Sequence, residues 1–543
     1  MRLSGFLSEE MLERRPYLGP VVALIFATLL FLPGLGARDF WAPGEPIYAE
    51  VIRGMYGNHD WVVPMLNGQL YPDKPVLYFW LALMVSKLAG GVSEWTVRLP
   101  AAFGGIGLVA LTYQFGKTFY DRQTGLLSAL VLATSSRVLW ESRFLRLDTV
   151  LSFFLFLGFY VFLKAFIKKR SKKHYLWAYF CFALATLTKG PIGLVLPALA
   201  LLGLIAISGR WREIGELCPV TGAIVVILTL TPWLWLLHLR GEDQWVRDFI
   251  WTHNIQNYAL KPIGHIRPFY YYFANLPPDF LPWTLFVPGA LLFYYPWKEG
   301  LRNPVTLGLV CWFAAIFLFF SASKSKIAYY LLPLLPSLAL LVGCYLKALM
   351  TAEEPRGIHW QWTAGFLYLL VAALGLGGVA LPAIVYRFAN GLFLWAWALA
   401  SILVGGSVAM FVCLRRRQVA VVFISFAALL LGLSLVGSAG VLPYLDTFKS
   451  PRPIAEFVRF HLPKSQPVYV FKSTMVDFNY YARRDEIPVV ASEDEVAKLA
   501  HSGREAYLII NDKDLKRFRL GTKFKIVTES RVGERRWYLL DLS

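Results

Sequence analysis

The chain has 543 residues, of which 57% are hydrophobic and only 16% are charged. A soluble domain carries about 25% charged residues, so this composition excludes a water-soluble enzyme, a coiled coil and a disordered chain. The 54 Lys and Arg residues outnumber the 35 Asp and Glu residues, which gives a net charge of +19. In a membrane protein, basic cytoplasmic loops and anionic lipids account for such an excess, so no nucleic-acid partner is predicted.

Apolar runs of about 20 residues, which cross a bilayer core of about 30 Å as a helix, recur along the chain. Thirteen such runs predict membrane-spanning helices at 17–36, 97–116, 124–140, 149–167, 175–188, 190–207, 217–238, 281–296, 304–322, 328–347, 361–384, 391–413 and 419–440. The division between 175–188 and 190–207 is the weakest, because each half is short and the two could instead form one long broken segment.

The positions of the basic loops distinguish thirteen spans from the smaller number that merging 175–188 with 190–207 would give. With thirteen spans, the dense basic clusters all fall on the side of the N-terminus: Lys117 with Arg122, 168–173, Arg210 with Arg212, Lys298 with Arg302, Lys347 with Arg356, and 415–417. Merging 175–188 with 190–207 would place the last clusters on the other side, against the positive-inside rule. The sequence therefore predicts a cytoplasmic N-terminus and a C-terminus on the outer face.

The outer face then receives two structured loops and the tail. Loop 37–96 contains an amphipathic helix predicted at 45–55 and an apolar interfacial helix predicted at 74–88. Loop 239–280 is rich in aromatic residues, which favour the headgroup level. The tail alternates helices with strands, which predicts a small α/β domain, with helices at 453–462, 493–500 and 512–519 and strands at 467–472, 487–491, 506–511, 524–528 and 536–541. The predicted domains are a membrane domain, 1–445, and an outer α/β domain, 446–543.

Ionisable residues at membrane depth are costly, so they are functional candidates by default. Under the predicted topology they gather at the outer face, at Glu45, Glu50, Asp73, Lys74, Arg143, Arg146, Asp148, Lys189, His265, Arg267, Lys324 and Lys326. Cations can hold a lipid-linked phosphate while a carboxylate accepts a proton from the attacking group. This combination indicates chemistry on a lipid-linked phosphate.

Each of these residues also has a structural interpretation. Glu45 and Glu50 could solvate one face of an interfacial helix. Asp148 could cap the helix that follows it, and Asp73 could mark a helix start. His265 could be an ordinary surface histidine. Periodicity does not choose between the structural and the functional interpretations.

Short motifs run in order through the membrane part: 41–50 (WAPGEPIYAE), 57–64 (GNHDWVVP), 67–68 (NG), 73–75 (DKP), 146–148 (RLD), 188–191 (TKGP), 265–272, 281–283 (LPW) and 324–336. Together they resemble the bacterial GT-C glycosyltransferases, in the family of lipid A aminoarabinose transferases and protein O-mannosyltransferases. The tail motif at 478–481 (FNYY) is similar to the family's extracytoplasmic domain. The resemblance implies a polytopic GT-C membrane enzyme.

The resemblance also implies roles for single residues. The family's first loop usually carries an Asp-Glu pair, but Gly44 precedes Glu45 here. Glu45 is therefore the available carboxylate, and Asp148 occupies the second acidic position, so both are predicted to be catalytic. An arginine that the family often has two residues after the Glu is replaced by Ile47, which removes one expected phosphate contact. The predicted donor-phosphate contacts are Lys74, Tyr48, Arg267 and Lys324.

A metal site follows from the same resemblance. Asp73 stands where some members have a Glu that holds a metal together with a histidine such as His265. A carboxylate and an imidazole suit Zn²⁺, although Asp is shorter than Glu by one methylene. A structural Zn²⁺ bound by Asp73 and His265 is therefore one expectation, and a helix-capping Asp73 with a solvated His265 is the other. No nucleotide cofactor is predicted.

The reaction implied by the resemblance moves a sugar, such as 4-amino-4-deoxy-L-arabinose, from undecaprenyl phosphate to lipid A or another envelope acceptor with inversion. A protein O-mannosyltransferase-like enzyme and a non-catalytic lipid-sugar flippase are the alternatives. The flippase is disfavoured because there is no visible inverted repeat and the charges gather at one face. The predicted location is the bacterial inner membrane, as a monomer among membrane lipids, with a periplasmic C-terminal domain.

Overall fold

The computed structural model describes residues 8–41, 44–168, 171–260, 265–293, 303–351, 358–473, 476–484, 486–501, 505–518, 524–533 and 535–542. The chain divides into two compact units. The first comprises Met1–Pro33, Pro72–Tyr78 and Leu99–Gly437, and the second comprises Gly34–Tyr71, Phe79–Arg98 and Ser438–Ser543. Some residues named from the sequence lie outside the described ranges, namely Ala42, Pro43, Lys169, Arg170, Lys298, Arg302 and Arg356.

The membrane part is helical. Among the described residues, eight helices are long and apolar enough to cross a membrane: Glu94–Phe119, Asp148–Lys168, Pro219–Leu239, Pro304–Ala322, Ala328–Thr351, Trp360–Phe388, Asn390–Arg415 and Val419–Lys449. Four shorter apolar helices accompany them, at Leu18–Phe31, Leu77–Leu88, Ile192–Ser208 and Trp283–Phe293. Other helical segments are Glu9–Arg14, Gly44–Gly57, Arg122–Ala133, Ser136–Glu141, Lys172–Lys189, Trp211–Leu217, Asp243–Arg247, Asp248–Leu260 and Tyr271–Asp279. The chain is a multi-pass membrane protein.

Every predicted span contains a helix, but some of these helices are too short to count as spans. The run 124–140 is divided into Arg122–Ala133 and Ser136–Glu141, and the helix in 281–296 ends at Phe293, beyond which residues 294–296 lie outside the described part. The total of thirteen spans therefore stays a prediction.

The weakest division of the chain is resolved in favour of two helices. Lys172–Lys189 and Ile192–Ser208 are separated at Gly190, whose φ is +92°. A side chain is strained in that conformation, and a Cβ at this position would lie 2.6 Å from Cζ of Phe249. Gly190 therefore ends the first helix and leaves room for a close aromatic contact.

Aromatic rings fill the centre of the first unit. Phe156 stacks on Phe115 with the ring centroids 5.4 Å apart, and Trp312 stacks on Phe159 at 4.5 Å. The indole nitrogen of Trp312 donates to the carbonyl of Pro333 at 2.9 Å, so the buried polar atom is satisfied. Lipid is as apolar as these rings, so close packing rather than a hydrophobic gain holds such helices together.

The second unit contains a five-stranded mixed sheet. Its strand order is Val489–Val490, Val468–Phe471, Tyr507–Asn511, Arg535–Asp541 and Lys525–Val532. The first three strands are parallel to one another, and the last two run antiparallel to their neighbours. The helices of this region are Leu442–Lys449, Arg452–His461, Val476–Ala482, Glu493–Ala500 and Asp512–Leu515. Apart from Leu442–Lys449 and Val476–Ala482, which were not predicted, they and the strands coincide with the elements predicted for the tail, to within a few residues at their ends.

The tail shares its unit with most of the first outer loop. The loop contributes the helix Gly44–Gly57 and a hairpin of Met65–Leu66 with Gln69–Leu70. Asn479 donates to the side-chain oxygen of Asn67 at 2.6 Å, and the backbone N–H of Phe40 donates to the hydroxyl of Tyr481 at 2.8 Å. These contacts tie the loop to the FNYY motif of the tail.

Candidate active site

A buried ion pair joins two helix ends of the first unit. Asp148 begins the helix Asp148–Lys168, and Lys189 ends the helix Lys172–Lys189. Nζ of Lys189 lies 2.5 Å from Oδ1 of Asp148, and both side chains are buried. Burying two charges is favourable only with close geometry, which this contact provides. The pair brings together two residues that the sequence had placed at the outer face.

Two consecutive tyrosines surround this ion pair. Nζ of Lys189 lies 5.1 Å from the ring centroid of Tyr329 and 4.5 Å from that of Tyr330. The guanidinium of Arg146 lies 4.8 Å from the same Tyr329 ring. Such contacts stabilise cations electrostatically. Tyr329 thus gathers two positive charges beside Asp148.

Lys74 lies close to the same group. Its Nζ is 2.8 Å from Oδ2 of Asp73, and Oδ1 of Asp73 is 3.3 Å from Nδ1 of His253. Lys74 acts electrostatically on both Lys189 and Tyr330. Burial would raise the pKa of Asp73, but Lys74 and His253 together hold it below its ordinary value. Asp73 is therefore ionised and orients the predicted phosphate-binding lysine.

Arg137, Glu141 and Asp279 form a second layer of charged side chains, which approaches Arg146 through Glu141. Arg137 donates to Glu141 at 2.9 Å and to Asp279 at 2.9 and 2.5 Å. Nε of Arg146 lies 3.7 Å from Oε2 of Glu141, whose carboxyl group is buried. Burial, aided by the charge of Asp148 and opposed by the two arginines, raises the pKa of Glu141 to about 7. Glu141 is therefore a carboxyl group whose charge changes near neutral pH.

The two remaining cations of the prediction, Arg267 and Lys324, lie side by side in exposed positions. The backbone N–H of Arg267 donates to the carbonyl of Lys324 at 3.5 Å, and Ile266 forms an isolated antiparallel bridge with Ser325. The loops at 265–268 and 323–327 therefore pair through their backbones. Tyr48, the fourth predicted phosphate contact, belongs to the second unit, where its ring lies 6.3 Å from that of Phe79.

Glu45 is held in a different way from Asp148. Its side chain is fully buried in the second unit, between the guanidinium groups of Arg38 and Arg98. Its two oxygens accept four hydrogen bonds from these arginines at 2.6–3.1 Å and one from the backbone N–H of Trp41 at 3.2 Å. Burial would raise the pKa of Glu45, but the two arginines lower it far below its ordinary value. This geometry favours a structural role, and a catalytic role for Glu45 stays a prediction.

The zinc site also stays a prediction. Asp73 contacts His253, whereas His265 lies in an exposed loop with a positive φ of 54°. In the described part of the chain, no group of three or more His, Cys, Asp and Glu side chains could hold a metal ion. The ammonium of Lys74 contacts the Asp73 carboxylate, where it would compete with a divalent cation.

Several residues of this cluster were not singled out as site residues from the sequence. His253, Tyr329 and Tyr330 look like ordinary interfacial aromatic residues. Arg137 and Glu141 carried a signal, because opposite charges four residues apart at the end of an apolar run form a pair on one helix face. Two ionisable residues at that depth are informative, and they point to the second layer of the cluster.

Comparison with known proteins assigns the family. Residues 18–246 match the family of dolichyl-phosphate-mannose-protein mannosyltransferases. Over 452 residues, 82% of this chain and 79% of the relative, the sequence is 31% identical to the undecaprenyl phosphate-alpha-4-amino-4-deoxy-L-arabinose arabinosyl transferase of Pectobacterium atrosepticum. The chain belongs to this arabinosyl transferase family. The predicted family is thus confirmed, and membership in a family of glycosyltransferases confirms the predicted enzyme class over the flippase.

The fold agrees with this assignment. The structure is similar to that of ArnT from Cupriavidus metallidurans bound to undecaprenyl phosphate, with a TM-score of 0.79 and 21% sequence identity, over 96% of this chain and 98% of that one. The apo form of the same protein gives a TM-score of 0.76. The chain therefore has the predicted GT-C fold.

Proposed function

We propose that the chain transfers 4-amino-4-deoxy-L-arabinose from undecaprenyl phosphate to lipid A or a similar envelope acceptor. The observation that carries the proposal is the cluster of Lys74, Lys189 and Arg146 around Asp148 in a member of this family. Cations that lie close together and are partly shielded from water suit a phosphate ligand. The Pectobacterium relative is named for the same lipid-linked sugar.

In the proposed reaction, the polyprenyl phosphate is the leaving group. The bond between the anomeric carbon and the phosphate oxygen breaks, and its electron pair stays on the phosphate. Lys74, Lys189 and Arg146 stabilise the charge that develops there, because fixed cations are most effective where charge increases in the transition state. A phosphate that leaves as an anion needs no proton from a general acid. Arg267 and Lys324, which lie side by side, remain candidates for further phosphate contacts.

Asp148 is the carboxylate proposed to act on the acceptor. Nζ of Lys189 donates to Oδ1 at 2.5 Å and so fixes the orientation of the carboxylate. The carboxylate of Asp148 can orient an acceptor hydroxyl and take its proton as the new bond forms. Attack from the face opposite the phosphate inverts the anomeric centre. An acceptor phosphate, such as that of lipid A, is already ionised and requires only orientation.

The same proposal includes the arrangement in the cell. The protein lies in the inner membrane as a monomer, with thirteen spans, a cytoplasmic N-terminus and a periplasmic C-terminal region. The positive-inside distribution of the basic loops supports this orientation. The alternative is a protein mannosyltransferase-like activity, which the family match over residues 18–246 favours. The two differ in both donor sugar and acceptor.

Reconstitution of the purified protein in liposomes tests the proposal. Undecaprenyl phosphate-linked 4-amino-4-deoxy-L-arabinose is offered with lipid A, and a parallel reaction contains a polyprenyl phosphate-linked mannose with a Ser/Thr-rich peptide. We expect lipid A to gain the mass of one aminopentose, and Asp148→Asn to abolish the gain. Mass gained by the peptide alone would support the alternative, and no gain in either reaction would refute both.

A further inference from the structure

The carboxyl group of Glu141 is an unused ionisable group in the second layer of the cluster. It is 1% exposed. Its Oε1 accepts a hydrogen bond from Arg137, whereas its Oε2 has no hydrogen-bond partner among the described residues. A buried carboxylate without a full set of donors is costly, and a protonated carboxyl group avoids part of that cost. The surroundings of Glu141 therefore permit both the protonated and the ionised form of its carboxyl group.

The surroundings of Glu141 contain few other groups that titrate near neutral pH. The helix Arg122–Ala133, which also packs against Ser136–Glu141, has its single charged residue, Arg122, at its far end. The ionisable groups near Glu141 on the remaining neighbouring elements are Arg137, Arg146, Asp148, Asp279, Tyr271, Tyr272, Tyr329 and Tyr330. The helix Asp148–Lys168 also carries Tyr160, Lys164 and Lys168, which lie about three or more turns beyond its first residue. Arginine stays protonated and tyrosine stays neutral at physiological pH. Asp148 and Asp279 each contact a cation, although burial, opposed by Arg137, raises the pKa of Asp279 above its ordinary value.

We propose that Glu141 is a positioning residue whose protonation sets the positive charge that Arg146 presents to the donor phosphate. This inference rests on the proposed function and extends it to the control of donor binding. With Glu141 neutral, Arg146 keeps its whole charge for the phosphate. With Glu141 ionised, its Oε2, 3.7 Å from Nε of Arg146, attracts the guanidinium and offsets its charge. Donor affinity then falls as the pH rises through the neutral range.

The expected change in donor affinity follows from the single negative charge that Glu141 gains, about two side chains away from the phosphate. We take a distance of about 10 Å and an effective dielectric constant between that of a protein surface and that of water. One unit charge then changes the affinity by roughly fivefold. We therefore expect undecaprenyl phosphate to bind the wild-type chain and Glu141→Gln equally at about pH 6. At about pH 8 it should bind Glu141→Gln roughly fivefold more tightly than the wild type.

The measurement is the ratio of the two dissociation constants for undecaprenyl phosphate at each pH, with detergent-solubilised full-length protein. The ratio removes the titration of the phosphate itself, because both proteins meet the same ligand. Glu141→Asp retains a carboxyl group and should keep a pH-dependent affinity. Glu213→Gln, which removes a carboxylate paired with Arg210 elsewhere in the first unit, is the matched control and should follow the wild type.

Two outcomes overturn the inference. One is a constant ratio between about pH 6 and about pH 8. The other is loss of the pH dependence in Glu141→Asp as well as in Glu141→Gln, which would mark a packing role. If the wild-type chain does not bind undecaprenyl phosphate at either pH, the donor assignment fails together with the inference. Sugar transfer by the wild type is measured separately, so failure of the proposed reaction is distinguishable from failure of the proton effect.

Discussion

Substitution of Glu45 by Gln tests whether this residue is a structural or a catalytic carboxylate. Glu45 lies fully buried between Arg38 and Arg98, and its two oxygens together accept five hydrogen bonds. Glutamine has nearly the same shape but carries an NH₂ group in place of one oxygen. That group would face N–H donors, and two guanidinium groups would share the site without a negative charge. We expect the second unit to lose stability.

The magnitude can be derived from the contacts. Replacing the oxygen with fewer partners still removes two charge-assisted bonds, from Arg38 at 3.0 Å and from Arg98 at 2.9 Å. Removing one member of a buried ion pair costs about 3–5 kcal/mol. For a domain of 150–250 residues, 1 kcal/mol corresponds to roughly 2–4 °C in Tm. The expected decrease in Tm is therefore roughly 6–20 °C.

Thermal unfolding of the purified variant in detergent measures this loss. Glu50→Gln is the control, because Glu50 lies on the same helix and pairs with the partly exposed Arg53, so its effect should be smaller. The low pKa of Glu45 in the folded chain stabilises the fold above the ordinary glutamate pKa of 4.5. The difference between Glu45→Gln and the wild type should therefore shrink as the pH falls below that value. A Glu45→Gln protein with wild-type Tm but reduced turnover would refute the structural account and support catalysis.

Three further substitutions probe the first unit. Asp148→Asn should lower kcat at least tenfold with little change in donor KM, as measured in the liposome assay, because the carboxylate proposed to act on the acceptor is lost; unchanged kcat would exclude that role. Lys74→Ala should weaken undecaprenyl phosphate binding by roughly 10- to 150-fold, since a charge-assisted contact is worth about 1.5–3 kcal/mol, whereas Arg240→Ala should have no effect. Gly190→Ala should lower the Tm, because its φ of +92° and the nearby Phe249 exclude a Cβ; an unchanged Tm would show that the turn adapts.

The elements of the fold could be predicted because each depends on local sequence. The apolar runs predicted the helices of the membrane part. The distribution of the basic loops predicted that 175–188 and 190–207 are two helices, which the structure separates at Gly190. Strands of the tail were predicted at segments such as 467–472 and 506–511, and the structure has them at Val468–Phe471 and Tyr507–Asn511. Their pairing into one sheet, with the last strand between two others, depends on contacts between distant residues and was not predicted.

The candidate site was only partly predictable for the same reason. Asp148 and Lys74 were recognised because a charged residue beside an apolar run is visible in the sequence itself. Arg98, one of the two arginines that bind Glu45, was not recognised as its partner. It is 53 residues away in the chain and resembles an ordinary residue at the start of a span. His253, which was not singled out from the sequence, contacts Asp73, whereas the predicted link between Asp73 and His265 stays a prediction. Both histidines lie in the same aromatic loop, and only the folded path of that loop distinguishes them.

The charges around Asp148 show how such a site can be stable before any ligand binds. Isolated cations at this depth would be costly, and here each has a carboxyl group within 4 Å: Lys74 with Asp73, Lys189 with Asp148, Arg146 with Glu141, and Arg137 with Asp279. Four cations and four carboxyl groups would cancel if all were ionised. With Glu141 protonated, one positive charge remains, which matches the single negative charge of a phosphodiester donor. When the sugar leaves, the charge on the phosphate increases toward that of a monoester, and the cations that were balanced by carboxylates then stabilise the product side of the reaction.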